Sequence, residues 1–226
     1  MERKDLRFIQ ISDLHITSYR NLLEPMINSI NKEDVDFVVA TGDVADSSES
    51  IEIAANTLNK ITHKLFVIPG DYDNGDVWVK YFGDKYKSFD FNSYHFEFLD
   101  TSFVRHRFGV GWANVIGISD IQQGDWLRER LKIDGYHIIF SHHPVLIEYV
   151  KNEFLCDNLR CIYSGHLHDV FKLYFPYDKP LKTFKYGFNI VPMQFHGNSC
   201  YLSVIINDNS DITNIPKIVS EKKTAW

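Results

Sequence analysis

A chain of 226 residues, 44% hydrophobic and 24% charged, carries enough apolar side chain for one substantial core and departs nowhere from ordinary globular usage. Its formal net charge of -6 gives no electrostatic ground for tight binding to nucleic acid or a membrane surface, and no apolar run is long enough to span a bilayer. Cys156, Cys161 and Cys200 form no C-x-x-C pair, which speaks for buried free thiols over a disulfide framework; with no signal-peptide h-region, the cytoplasm is the expected compartment.

The first third alternates two periodicities. Arg7 to Ile11 reads as a strand, Leu22 to Ile30 as an amphipathic helix, and Asp36 to Thr41 as a short buried strand. Ser50 to Ile61 follows as a helix with Ile51, Ala54, Ala55 and Leu58 on one face, then Lys64 to Ile68 as a strand stopped by Pro69-Gly70. Strand, helix, strand, helix, strand predicts parallel pairing. Further on, Ser93 to Asp100 alternates with period two, Asn114 to Ser119 reads as a strand and Ile121 to Leu131 as a helix. Tyr136 to Phe140 and Leu159 to Tyr163 are strands. Phe171 to Phe175, Phe184 to Val191 and Tyr201 to Ile206 read as mostly antiparallel strand. No repeat, low-complexity run or linker divides the chain, so residues 1–226 are expected to form one domain.

Five segments share one property: an apolar strand followed at once by metal-capable side chains. They are Asp13-x-His15, Gly42-Asp43-x-x-Asp46, Gly70-Asp71-Tyr72-Asp73, His142-His143 and His166-x-His168. Ligand crevices of open α/β sheets lie beyond the carboxyl ends of strands, so these ends are expected to converge. Glycines at 42, 70 and 165 are expected to let the backbone turn there. A mixed Asp/His set suits manganese, iron, zinc, cobalt or nickel. With more than four ligands on hand, two ions sharing a carboxylate is the economical arrangement; a pair about 3.5–4 Å apart can generate hydroxide and clamp an in-line displacement at phosphorus. Singly each motif is ordinary turn chemistry. All five in order at strand ends are not.

Together they resemble the calcineurin-like metallophosphoesterases, whose signature reads D-x-H, G-D-x-x-D, G-N-H-D/E, a strand-end His and G-H-x-H. Leu99-Asp100-Thr101-Ser102, Gln123-x-x-Trp126-Leu127 and His142-His143-Pro144 are similar to the class III phosphodiesterase-like branch. The resemblance implies an α/β fold, a β-sandwich of two mixed sheets flanked by helices. It also implies a metal-dependent phosphoesterase acting on small phosphoesters, with manganese the expected ion. By position, Asp13, His15 and His168 would bind the first ion, Asp43 would bridge, and Asp71, His142 and His166 would hold the second. Asp46 would orient the residue that touches substrate.

The third motif departs from this pattern. Asp71 stands where the family has Asn, adding a negative charge that should repel a monoester dianion more than a diester monoanion. Tyr72 stands where the family has the His thought to protonate the leaving group, and a phenol gives up its proton reluctantly at neutral pH. His143, His106 and His196 are candidate substitutes; Arg105 and Arg107 are candidate phosphate contacts. Two other readings stand beside a phosphodiesterase: a scaffold that kept the fold and lost catalysis, and a nuclease, for which the acidic charge offers no surface.

Overall fold

The structure is a computed structural model and describes residues 5–73, 76–102, 121–143, 158–166, 168, 171–173, 188–190, 194–195 and 198–219. Two six-stranded sheets face each other. The first is built on β1 (Leu6–Ile11), β2 (Phe37–Thr41) and β3 (Leu65–Ile68), paired in parallel as their alternation with α1 (Arg20–Ile30) and α2 (Ile51–Leu58) predicts. The second is built on β5 (Tyr94–Phe98), β6 (Tyr136–Phe140) and β7 (Leu159–Ser164), also parallel, with β4 (Lys87–Phe91) antiparallel at its edge. β8 (Phe171–Leu173) and β9 (Phe188–Ile190) complete the second sheet; β10 (Gln194–Phe195), β11 (Asn198–Ile206) and β12 (Ile212–Val219) complete the first. Among the described residues the other α-helices are α3 (Val77–Phe82) and α4 (Ile121–Arg130).

Period-two alternation sorts the side chains into layers. Leu6 and Phe8 of β1, Phe37 and Val39 of β2, Phe96 and Phe98 of β5, and Ile138 and Phe140 of β6 all enter the space between the sheets. Their aromatic rings interlock there, Phe8 lying 5.1 Å from Phe37 and 5.3 Å from Tyr163. The intervening residues Ile9, Ile11, Val38 and Ala40 face outward and pack with Leu23, Met26 and Ile27 of α1 and Ile51 and Ala54 of α2. Cys161 and Cys200 are buried free thiols, as expected. Among the described residues no helix is long and apolar enough to cross a membrane.

That same inward face changes character along its length. Gln10 continues the Leu6–Phe8 series and Thr41 the Phe37–Val39 series, yet both are polar and fully buried. They lie at the strand ends. Gln10 Nε2 donates to Thr41 Oγ1 and across to Ser164 O (3.0 and 2.7 Å), and Ser12 Oγ donates to Thr41 O (3.1 Å). An aromatic core thus gives way to a hydrogen-bonded seam joining the carboxyl ends of the two sheets, and the candidate site sits on that seam.

Several expectations shift in detail. The helix read over 50–61 is a single 3-10 turn (Ser48–Ser50) followed by α2 ending at Leu58, because Ser50 Oγ takes the Asp46 and Ser47 N–H groups and starts the helix late. The strand read over 114–119, together with Arg105, His106, Arg107, His196 and Cys156, lies outside the described residues.

Candidate metal centre

The loops that follow β1 and β2 are zipped together by backbone hydrogen bonds, Asp13 N–H to Gly42 O and His15 N–H to Asp43 O, both 3.0 Å. On the second sheet Gly165 N–H donates to His142 O (2.9 Å). Asp13 also reaches across to the other sheet: His166 N–H is shared by its two carboxylate oxygens at 3.0 and 3.1 Å. Each loop therefore has a partner on either side, and its side chains have fixed origins.

The backbone is bent accordingly. Asp13 (φ 55°), His15 (40°), Asp43 (49°), His166 (71°) and His168 (51°) are all left-handed, a region that costs residues with a Cβ about 1–3 kcal/mol each. Five such positions in one cluster are held there by the surrounding bonds. The three glycines serve two purposes rather than one. Gly42 has the positive φ (93°) the sequence reading expected, and a Cβ on it would stand 2.5 Å from His142 Nδ1. Gly70 and Gly165 make no left-handed turn; they permit close approach. A Cβ on Gly70 would fall 2.2 Å from Asp43 N, and one on Gly165 would fall 1.8 Å from Ser12 Oγ.

Two groups of donor atoms result: Asp13, His15, Asp43 and His168, and beside them Asp71, His142, His143 and His166, each set lying within 4.8 Å. Asp43 stands between them, its Oδ2 3.3 Å from His142 Nε2 and 3.9 Å from His15 Nε2, while its Oδ1 accepts the Tyr72 N–H at 3.0 Å. The seven residues expected as ligands are thus gathered into one place, and His143 joins the second group.

Whether these residues fit a cation is answered by His142. It is fully buried, and its Nδ1 donates to Thr41 O (2.9 Å), so the lone pair of the neutral ring lies on Nε2. Among the described residues that Nε2 has no hydrogen-bond partner. A buried imidazole with one nitrogen tied to a carbonyl and the other turned into a cluster of carboxylates has the arrangement of a metal-binding histidine. With no cation there, the carboxylates draw a proton to the same nitrogen. Burial opposes protonation of His142, but Asp43, followed by Asp13 and Asp71, pushes it up to about 10. Burial likewise opposes ionisation of Asp43, and the His142 charge overrides it, holding the carboxyl well below the usual carboxylate range. Burial, then the charges of His142 and His143, pushes His166 down to about 4. The cluster draws in positive charge and cannot spread it evenly over its imidazoles.

Asp46 accepts from Thr17 N–H (2.7 Å), the Thr17 hydroxyl and Ser18 Oγ (2.6 Å), and lies 3.7 Å from His15 Nδ1. These bonds secure the loop that carries His15; among the described residues Asp46 makes no hydrogen bond to Tyr72. Tyr72 is 51% exposed, with its ring edge-on to that of His15 at 5.2 Å. Asp73, given no role from sequence, is fully buried and accepts from Gly70, Val44 and Ala45 N–H groups (2.8, 3.1 and 2.9 Å). It stitches the third motif to the second. Gln123 clasps the backbone of Asp100 with two bonds, and Thr101 beside it reaches His143. The motif residues 99–102 and 123 are thereby tied to the site; Gln10, Ser12 and Thr41 had as their only signal a polar side chain closing an apolar strand.

The chain belongs to the calcineurin-like phosphoesterases, whose family pattern matches residues 6–170. A probable cyclic nucleotide phosphodiesterase from Fibrobacter succinogenes is 33% identical over 156 residues, covering 64% of this chain and 59% of that protein. Another from Coxiella burnetii is 24% identical over 202 residues, covering 75% of this chain and 78% of that one. Among solved structures, a dimetal phosphatase from Danio rerio superposes with a TM-score of 0.68 at 14% identity, over 95% of this chain and 99% of that one, so the fold is shared.

Proposed function

We propose that this chain is a hydrolase that cleaves phosphodiesters at a pair of divalent cations, with cyclic nucleotides, for which its relatives are named, as the substrate class. The observation that carries this reading is the meeting of two donor groups at Asp43. Asp13, His15, Asp43 and His168 would hold the first ion, and Asp43, Asp71, His142 and His166 the second. Manganese is the ion the family resemblance implies, and a mixed oxygen and nitrogen set of this kind also suits iron, zinc, cobalt or nickel. Bound there, such a pair supplies Lewis acidity and a water of lowered pKa.

The protein's own contribution is placement. Thr41 O fixes the His142 tautomer, the Tyr72 N–H turns Asp43 so that Oδ2 faces both groups, and the Asp13 carboxylate spans to the His166 amide. Three carboxylates, Asp13, Asp43 and Asp71, make the site less positive than two would. That disfavours a monoester dianion relative to a diester monoanion. Tyr72, exposed beside His15, can donate a hydrogen bond to a leaving oxygen but is a poor proton donor at neutral pH.

The test is hydrolysis of bis(4-nitrophenyl) phosphate and of 3′,5′-cyclic AMP by metal-stripped protein, with and without added manganese, beside His142→Ala. Manganese-dependent turnover that disappears in the variant supports the reading. Bound metal with no turnover of either ester would support the second one, a metal-binding scaffold, which Tyr72 in place of the motif's histidine favours.

A further inference from the structure

His143 was expected as a stand-in acid, and the structure gives its ring two fixed neighbours. Nε2 lies 3.0 Å from Asp71 Oδ1, and Nδ1 lies 3.0 Å from Thr101 Oγ1. His143 and Thr101 are both buried, so neither ring nitrogen turns to bulk water for a partner. The remaining Asp71 oxygen, Oδ2, points the other way, 3.5 Å from His166 Nδ1 and so towards the second donor group.

These contacts decide the proton's position. An ionised carboxylate only accepts, so a bare Nε2 lone pair at 3.0 Å from Asp71 Oδ1 would be repelled. The stable tautomer carries its proton on Nε2 and leaves Nδ1 to accept. Thr101 meets that need: its oxygen already accepts the His143 N–H at 3.2 Å, and its hydroxyl proton is free to be donated to Nδ1. Thr101 is itself held by its neighbour Asp100, whose N–H donates to Gln123 Oε1 (2.8 Å) and whose carbonyl accepts from Gln123 Nε2 (3.0 Å). A single line of bonds thus runs from α4 through Gln123, Asp100 and Thr101 to His143, whose Nε2 stands 3.0 Å from one oxygen of Asp71.

We infer that His143 is a positioning residue of the second cation site, donating Nε2–H to Asp71 Oδ1 so that Oδ2 is the oxygen presented to the ion. The inference rests on the cation pair proposed above and deepens it. It also gives the departure in the third motif a structural partner. A carboxylate at position 71 has two equivalent oxygens and a free choice of rotamer, and the His143 N–H removes that choice. Outer partners of this kind typically contribute about 10–100-fold in metal affinity. The competing role is direct ligation, since His143 Nε2 falls within the same 4.8 Å group.

The experiment is equilibrium binding of manganese to the metal-stripped full chain, followed by electron paramagnetic resonance, for the native protein, His143→Ala, His143→Gln and Thr101→Val. Expected are two ions in the native protein, with the second bound about 10–100-fold more weakly in His143→Ala and the first changed little. His143→Gln, whose amide N–H can take the place of Nε2–H, recovers most of that loss. Pulsed measurements on His143→Gln show as many coupled imidazole nitrogens as in the native protein. Should His143→Ala fail to fold, Thr101→Val reports instead, with a smaller loss confined to the second ion. Unchanged affinity in both His143→Ala and Thr101→Val overturns the inference, as does a glutamine variant as weak as the alanine one. Loss of one imidazole nitrogen in His143→Gln also overturns it, by making His143 a ligand. A native chain that binds fewer than two ions sinks the cation pair along with it, whereas normal binding without hydrolysis sinks only the proposed activity.

Discussion

Tyr72 occupies one of the two motif positions where the family pattern and this chain part company, and its surroundings define what it can do. Its N–H is committed to Asp43 Oδ1 and its ring abuts His15, so the phenol stands at the mouth of the first donor group. Replacing it with histidine would put a group able to transfer a proton at the same place. We expect Tyr72→His to raise turnover of 3′,5′-cyclic AMP, whose leaving group is a ribose alkoxide, by about 10²-fold. Bis(4-nitrophenyl) phosphate, with its acidic leaving group, should change only a few-fold. Equal gains on both esters would show that Tyr72 limits something other than protonation. A second residue-scale prediction concerns packing. Gly165→Ala drives a Cβ to 1.8 Å from Ser12 Oγ and 2.7 Å from Asp13 Oδ2. Overpacking of this kind costs about 1–3 kcal/mol or more, so calorimetry should show Tm falling by roughly 4–10 °C. A Tm unchanged in the variant would mean that the two sheets part readily at this point.

Beside the burial of Leu127 and the contact of Trp126 with Tyr86, α4 is fastened to the second sheet by ions. His137 on β6 is fully buried between two acceptors, Glu97 Oε1 on β5 and Ile133 O just past α4, each 3.0 Å away. Both ring nitrogens therefore need protons. Burial opposes that, but the Glu97 bond and charge and the Ile133 carbonyl raise the His137 pKa above its ordinary value, with Arg130 pulling the other way. A raised native pKa stabilises fully below the unfolded value near 6.5, and that stabilisation is lost as pH climbs through the native value. Glu97→Gln should therefore be less stable by about 2 kcal/mol in urea melts at pH 6, with the gap narrowing as pH rises. A gap independent of pH would mean that His137 is neutral throughout. Such fastenings were hard to read in advance. The alternation of Ser93 to Asp100 showed the strand but not that His95 and Glu97 face a helix instead of water. β4 and its two-residue turn at Asn92-Ser93 escaped notice because Lys87-Ser88-Phe89-Asp90-Phe91 is only half apolar. β12 escaped because Pro216 breaks the strand signal, and it is tolerated because among the described residues β12 pairs only with β11, at the sheet's edge. The five strand-end motifs were legible for the opposite reason. Cation chemistry restricts residue type so tightly that Asp13, His15, Asp43, His142 and His166 mark themselves, while Gln10 and Thr41 act through backbone partners that only the register between sheets reveals.

At the scale of the molecule the candidate site is a joint. Asp13, His15, Asp43 and Asp71 come from loops at the ends of β1, β2 and β3, and His142, His166 and His168 from the ends of β6 and β7. Below them the sheets are held by a non-directional aromatic layer; at the site they are held by Gln10 to Ser164, His142 to Thr41 and His166 to Asp13. Cations bound by residues from both sheets would therefore tie the sheets to each other, and that tie exists only in the folded chain. Mass action sets its size: at a free manganese concentration one hundred times the dissociation constant, a single ion adds about 2.7 kcal/mol. For a chain of this length that corresponds to a rise in Tm of roughly 5–10 °C over metal-stripped protein. Asp43→Asn, which weakens the one carboxylate facing both groups, should lose most of that rise, and its stripped form should also melt lower because the buried His142 loses its charge partner. His15→Ala should keep more of it, because the second donor group is left whole. If manganese raises Tm equally in all three proteins, the ion is binding elsewhere on the acidic surface, and the joint holds without it.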